Sequence, residues 1–296
     1  MKVGIPKGLL YYKYYPFFNT FFEELGSEIV TSPDTNREIL NEGVKYCVDD
    51  ACLPVKIFHG HVAYLKERCD YIFIPRIMGI YKSEFICPKF CGLTELVKNN
   101  FDALPELLGE PIYAYSEKKL KHWAHKTGKK LNRSFLASNR ALKAAIEVQN
   151  NQHTGIEDKK YKILVALVGH PYNIYDKFVN MNVIKKLNKF NIGVITEENI
   201  KPEIIENKNN ELFKKPFWTF AKNSYGFSTY LAENNKVQGI VYLSSFSCGI
   251  DSVVIELIKE KSEELPLLIL KLDEHTGEAG FDTRIEAFSD MLMRSC

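Results

Sequence analysis

No run of about 18 apolar residues occurs in this chain, so no membrane-spanning helix is expected. Neither charge is in excess: 39 lysines and arginines face 37 acids, a formal +2. That balance argues against the basic footprint of a nucleic-acid binder and against a polybasic membrane anchor. The first residues are not expected to act as a signal peptide, because Lys7, Lys13 and Pro16 interrupt the apolar stretch and no small-residue cleavage site follows. The expected address is the cytoplasm. Also missing are the phosphate loop of ATPases, a dinucleotide-binding glycine turn after a strand, and the nucleophile elbow of serine hydrolases. The chain is therefore not expected to hydrolyse ATP itself.

Cysteine, in contrast, is present seven times: Cys47, Cys52, Cys69, Cys87, Cys91, Cys248 and Cys296. An odd count in a large chain expected in a reducing compartment points to metal-binding, catalytic or buried thiols rather than disulfides. Five of the seven fall between residues 47 and 91, and that clustering is informative. Terminal Cys296 is assigned no role, and Cys69, beside an apolar run, reads as a buried thiol.

The 296 residues are 45% hydrophobic, enough for one large or two medium domains. Residues 2–6 and 162–168 are apolar runs followed by Gly8 and Gly169, and then by helical stretches, so each reads as strand, turn, helix. Further strands are expected at Glu28–Thr31, Asp70–Pro75, Gly193–Thr196, Gly239–Leu243 and Leu267–Leu272. Alternating strands and helices with β-branched runs predict an α/β fold of two similar, doubly wound domains with mostly parallel sheets. The expected division is 1–115, a lysine-bearing helical segment and linker over 116–158, and 159–296.

The placement of the thiols says more than their number. Cys52 precedes Pro54, which suits the start of a helix through about Leu65. Cys87 and Cys91 follow the strand at Asp70–Pro75 and precede a helix expected near Thr94. Cys248 sits between the strand ending at Leu243 and a helix that Asp251 or Ser252 is expected to cap. Strand carboxyl ends and helix starts form the rim where open α/β sheets bind ligands, and helix N-termini favour thiolates. The spacings Cys47-x4-Cys52 and Cys87-x3-Cys91, with Cys248 far away, fit an iron–sulfur cluster between domains better than a zinc knuckle. Zinc and simple burial of the thiols remain open at this point.

On the same rims stand His170, after the strand 162–168, and Glu274 and His275, after Leu267–Leu272; these are candidate acid–base groups. His59 and His61 flank Gly60 in a predicted helix and point to different sides, so they cannot share a metal from one face. Gly60 in mid-helix suggests close approach by a backbone or a ligand.

Blocks along the chain resemble the CoA-protein-activase-like family, which belongs with the 2-hydroxyacyl-CoA dehydratases and their activators. They include Asp50-Ala51-Cys52-Leu53-Pro54-Val55-Lys56, Phe58-His59-Gly60-His61, Ile86-Cys87-Pro88-Lys89-Phe90, Gly169-His170-Pro171-Tyr172, Ser244-Ser245-Phe246-Ser247-Cys248-Gly249-Ile250-Asp251 and Asp273-Glu274-His275-Thr276-Gly277-Glu278. The resemblance implies two Rossmann-like domains with a 4Fe–4S cluster in the interdomain cleft. By motif its ligands would be Cys52, Cys87 and Cys248, with one iron left open. Cys47 and Cys91 are extra to the family's pattern: spare thiols, a further ligand, or part of a double cubane, which the count of clustered cysteines disfavours. The resemblance further implies low-potential electrons from a separate ATP-hydrolysing activator, an acyl-CoA or other small-molecule substrate, and a homo- or hetero-oligomer. Two roles stay open: a dehydratase-like or reductase component whose protons are handled by Glu274, His275 or His170, and a non-catalytic iron–sulfur carrier or scaffold docking to the activator.

Overall fold

Strands that will be covered on both faces read as continuous apolar runs, and the expected runs do become parallel strands. The computed structural model describes residues 1–263 and 265–295; Cys296 lies outside the described residues. In the first half, β1 (Lys2–Ile5) lies between β2 (Glu28–Thr31) and β3 (Tyr71–Phe73). A small β4 (Ile77–Gly79) follows, then β5 (Glu106–Leu108) beside β3, and β6 (Ile112–Tyr113) beside β4. In the second half, β7 (Ile163–Gly169) lies between β8 (Ile192–Ile195) and β9 (Gly239–Ser245), and β10 (Leu267–Leu272) pairs with β9. Every one of these strand pairs is parallel. The fold is α/β with mostly parallel sheets, as expected.

The two four-stranded sheets have the same order. In each, the chain steps from the first strand to one side, then crosses back to place the third strand on the other side. That reversal opens a crevice beyond the carboxyl ends of β1 and β3, and another beyond β7 and β9. The chain divides into two compact units, Met1–Gln152 and His153–Cys296. The helices Glu117–Lys130 and Phe135–Asn151 belong to the first, where Phe135–Asn151 packs along the helix Tyr11–Glu24.

Aromatic rings fill the first unit. Phe17, Phe18, Phe21 and Phe22 line one side of the helix Tyr11–Glu24 and meet Phe73 and Trp123, with Phe21 and Trp123 centroids 4.6 Å apart. The helix Leu53–Leu65 is buried along nearly its whole length and crosses the helix Arg37–Lys45 at two glycines. A Cβ on Gly60 would stand 1.9 Å from the Ile39 carbonyl oxygen, and one on Gly43 would stand 1.9 Å from that of Lys56. The mid-helix glycine is thus explained by a neighbouring backbone. The second unit packs Val168, Tyr225, Phe227, Tyr242 and Ile255 in one core cluster.

Both histidines beside Gly60 are buried and separately bonded. His59 Nδ1 lies 2.8 Å from the Val55 carbonyl and its ring stacks on Phe101, whereas His61 Nε2 lies 3.1 Å from Thr35 Oγ1. Burial pushes the His61 imidazole down to about 3, with Lys7 adding to the effect and Asp34 opposing it.

Two outcomes follow from this packing. Gly60→Ala gains helix propensity but forces two backbones apart, so a net loss of about 2 kcal/mol is expected, read from the urea midpoint. His61 has a folded pKa below its unfolded value of 6.5, so the unfolded chain takes up the proton first as pH falls. Stability is unaffected by this group above about pH 6.5 and falls between there and about pH 3, by at most about 1.4 kcal/mol per pH unit. His61→Gln should remove one proton from that slope in pH-dependent unfolding.

Candidate metal centre

In the second unit, the ends of β7 and β9 bring together residues that are far apart in sequence. β7 ends at Gly169, whose φ of +144° suits glycine and where a Cβ would stand 2.4 Å from the Leu243 carbonyl oxygen. The turn delivers His170 as N-cap of the short helix Pro171–Tyr175. β9 leaves the sheet through Ser244 and Ser245, turns at Ser247 with φ of 60°, and sets Cys248 as N-cap of the helix Gly249–Lys261. Asn173 ties the strand ends: its Nδ2 donates to Leu243 O at 3.3 Å and its Oδ1 accepts from Ser245 Oγ at 3.2 Å.

Asp251 lies in the first turn of this helix, fully buried, rather than capping it as expected. The helix starts earlier, at Gly249, so the carboxylate turns inward with Val254, Ile255 and Ile258. Its position near the N-terminus suits negative charge. Tyr242, on β9, donates its hydroxyl to Asp251 Oδ1 at 2.9 Å, and His170 Nε2 stands 3.0 Å from the same oxygen. The histidine nitrogen is out of line for a hydrogen bond, so this contact is an ion pair at close range. The imidazole is sandwiched by Tyr172, stacked at 5.0 Å, and by the edge-on ring of Phe220 at 5.4 Å.

These charges sustain one another. Burial pulls the His170 pKa down, but the Asp251 carboxylate, with Cys248 behind it, overrides that and holds it well above the usual imidazole value. Burial pushes Asp251 up, yet His170 and the surrounding hydrogen bonds hold it below the usual carboxylate value. Tyr242 is pushed up, first by burial and then by the adjacent Asp251 charge. The ligand atoms of His170, Cys248 and Asp251 all lie within 4.8 Å of one another, and they are the one group of three or more such atoms among the described residues.

Glu274 and His275 are not in that group. Their loop is organised by Asp273, whose Oδ1 accepts from His275 N at 2.9 Å and from Thr276 Oγ1 at 2.8 Å. The His275 side chain is 87% exposed and lies 3.9 Å from the carboxylate of Glu274.

The first unit carries the other thiols. Cys52 is N-cap of the helix Leu53–Leu65, with Pro54 in its first turn, and Cys87 is N-cap of the short helix Pro88–Cys91. Lys89 of that short helix donates to Cys52 Sγ at 3.4 Å, which brings the Cys87 segment against Cys52. Partial burial pushes the Cys47 thiol up to about 12, against an opposing pull from Lys56. Cys69 donates to Leu65 O at 3.2 Å and is pushed up to about 11 by burial, as suits a packed thiol. Among the described residues no cysteine is in a disulfide.

Sequence reasoning named His170 and Cys248 but not Asp251 or Tyr242 as site residues. The signal for Asp251 was its place in the i, i+3, i+4, i+7 pattern with Val254, Ile255 and Ile258, which marks an inner helix face.

Two family models match the chain. One, the CoA enzyme activase uncharacterised domain, spans residues 2–200; the other, the 2-hydroxyglutaryl-CoA dehydratase D-component, spans residues 132–292. The chain belongs to both families. Each match covers more than half of it, and together they bear out the resemblance seen in the sequence. A third comparison, with curated proteins, finds no match. Among solved structures, a manganese-bound and a metal-free mutant of the periplasmic metal binding protein from Candidatus Liberibacter asiaticus are 9% and 8% identical, each comparison covering 99% of both chains at a TM-score of 0.24. That likeness is too slight to inform fold or function. Of the activase and dehydratase matches, the activase one ends beyond β8 and the dehydratase one includes His170, Cys248 and Asp251.

The ion pair has a direct check. Asp251→Asn removes the charge that offsets the burial of His170, so the imidazole pKa should fall, as followed by its Cε1–H resonance across pH. An unchanged titration would place the compensating charge elsewhere.

Proposed function

We propose that this member of the activase and dehydratase families is an iron–sulfur redox protein, built on two Rossmann-like domains and housed in the cytoplasm. Cys52, Cys87 and Cys248 hold a 4Fe–4S cluster. The observation that carries this reading is that each of the three is an N-cap without a side-chain capping bond, at the start of a helix whose free N–H groups favour a thiolate. The identical strand order of the two sheets, each reversing beside its first strand, supports the Rossmann-like assignment. When bound, such a cluster supplies a one-electron centre whose potential the protein sets through charge, hydrogen bonds and exposure.

The donor set fits that group. The three thiols are partly exposed, and Lys89 places a cationic donor on Cys52 Sγ, a contact that stabilises sulfur-centred negative charge. His170, kept protonated by Asp251, holds a proton beside Cys248. Glu274 and His275, on the loop after β10, are the further acid–base groups of this reading. Electrons arrive from a separate ATP-hydrolysing activator and pass to an acyl-CoA or another small molecule. Cys47 and Cys91 stand outside the ligand set.

Protein purified without exposure to air should be brown, with about four irons and four sulfides per chain. Cys52→Ala, Cys87→Ala and Cys248→Ala should each lose more than half of that iron, whereas Cys47→Ala and Cys91→Ala should retain the wild-type spectrum. Colourless, iron-free wild-type protein would overturn the reading.

A further inference from the structure

We propose that His170, Cys248 and Asp251 form a second, mononuclear site, which binds one divalent transition-metal ion of the zinc or cobalt(II) class. This goes beyond the iron–sulfur reading and does not require it. Three features of the second unit carry it.

The donors are unsatisfied and enclosed. His170 Nδ1 has no hydrogen-bond partner among the described residues, and Nε2 meets Asp251 Oδ1 at 3.0 Å out of line for one, although the residue is 4% exposed. Asp251 Oδ2 is also without a partner, in a residue that is 0% exposed. Leaving such atoms unpaired in the interior is costly, and buried native polar groups are usually satisfied. A cation at this point pairs one ring nitrogen and the carboxylate.

The geometry suits a small ion. Two bonds of about 2.0 Å at a tetrahedral angle place their donor atoms about 3.3 Å apart. His170 Nε2 and Asp251 Oδ1 stand 3.0 Å apart, and the ligand atoms of all three residues lie within 4.8 Å of one another. Little movement is needed to close them around a metal. Tyr242, donating to Oδ1, orients the carboxylate in the way that outer hydrogen bonds orient metal ligands.

The donor types select the metal. One imidazole, one thiolate and one carboxylate suit a borderline ion and disfavour magnesium or calcium, which prefer oxygen alone. Three protein ligands leave a fourth position for water or an exogenous ligand, the pattern of exchangeable rather than purely structural sites. A Cys248 thiolate engaged here is withdrawn from the cluster proposed above, so the two occupancies compete for it.

Cobalt(II) alone, titrated anaerobically into full-length protein freed of iron and sulfide, tests the site. Wild-type protein should bind one equivalent, with a thiolate-to-cobalt charge-transfer band, d–d bands of tetrahedral intensity, and one paramagnetically shifted imidazole resonance. His170→Gln, Asp251→Asn and Cys248→Ser should each weaken binding at least tenfold, and Cys52→Ala and Cys87→Ala should leave it unchanged. The shifted imidazole signal is read on the wild-type protein, so it stands even if a variant misfolds. Absence of a thiolate band, or a band lost in Cys52→Ala or Cys87→Ala but kept in His170→Gln, overturns the proposal. Because no iron or sulfide is present, failure of the cluster reading leaves this result untouched, and a missing cobalt site leaves the cluster reading standing.

Discussion

Parallel pairing of β7 with β9 is the constraint on which the second unit's chemistry rests. Parallel neighbours leave the sheet at the same edge, so whatever follows each strand emerges side by side. Val165 to Gly169 pair with Gly239 to Leu243, and the residues just beyond, His170 on one side and Ser244 to Cys248 on the other, therefore share a rim. The chain reversal between these two strands leaves that rim uncovered by a crossover, and a crevice results. Gly169 and the hydrogen bonds of Asn173 keep the two exits in close contact.

Electrostatics then decides what the rim holds. Burying a lone carboxylate is expensive, and a lone imidazolium no less so. Asp251 and His170 are buried together, each offsetting the other, with Tyr242 sharing the same carboxylate oxygen. Such a pair contributes little to net stability, because desolvation consumes most of the Coulombic gain. Its persistence in a core otherwise made of Val168, Tyr225, Phe227 and Ile255 is better understood as chemistry than as scaffolding.

Much of this was legible from the residues, for physical reasons. Strands of a parallel sheet covered by helices are largely apolar, so Ile163–Gly169 and Gly239–Ser245 at its centre and Leu267–Leu272 at its edge announce themselves as nearly unbroken runs. The ends of those runs locate the rims, which is why His170 and Cys248 could be named. The short strands β4, β5 and β6 could not, because two or three residues carry no period and owe their pairing to distant partners. Asp251 reads locally as a helix cap, since acids are common there; only the tertiary fold turns it inward. Tyr242 likewise looks like any strand aromatic until Asp251 is seen against its hydroxyl.

The contact between Gly43 and Gly60 has a bearing on the thiols of the first unit. With two helix backbones touching there, the connection from Tyr46 to Cys52 is clamped at both ends, and Lys56, buried beneath it, anchors the Asp49 carbonyl at 2.8 Å. The loop's conformational freedom is surrendered when the domain folds. Held in this way, it has less entropy left to lose in any later contact than a floppy loop of the same residues.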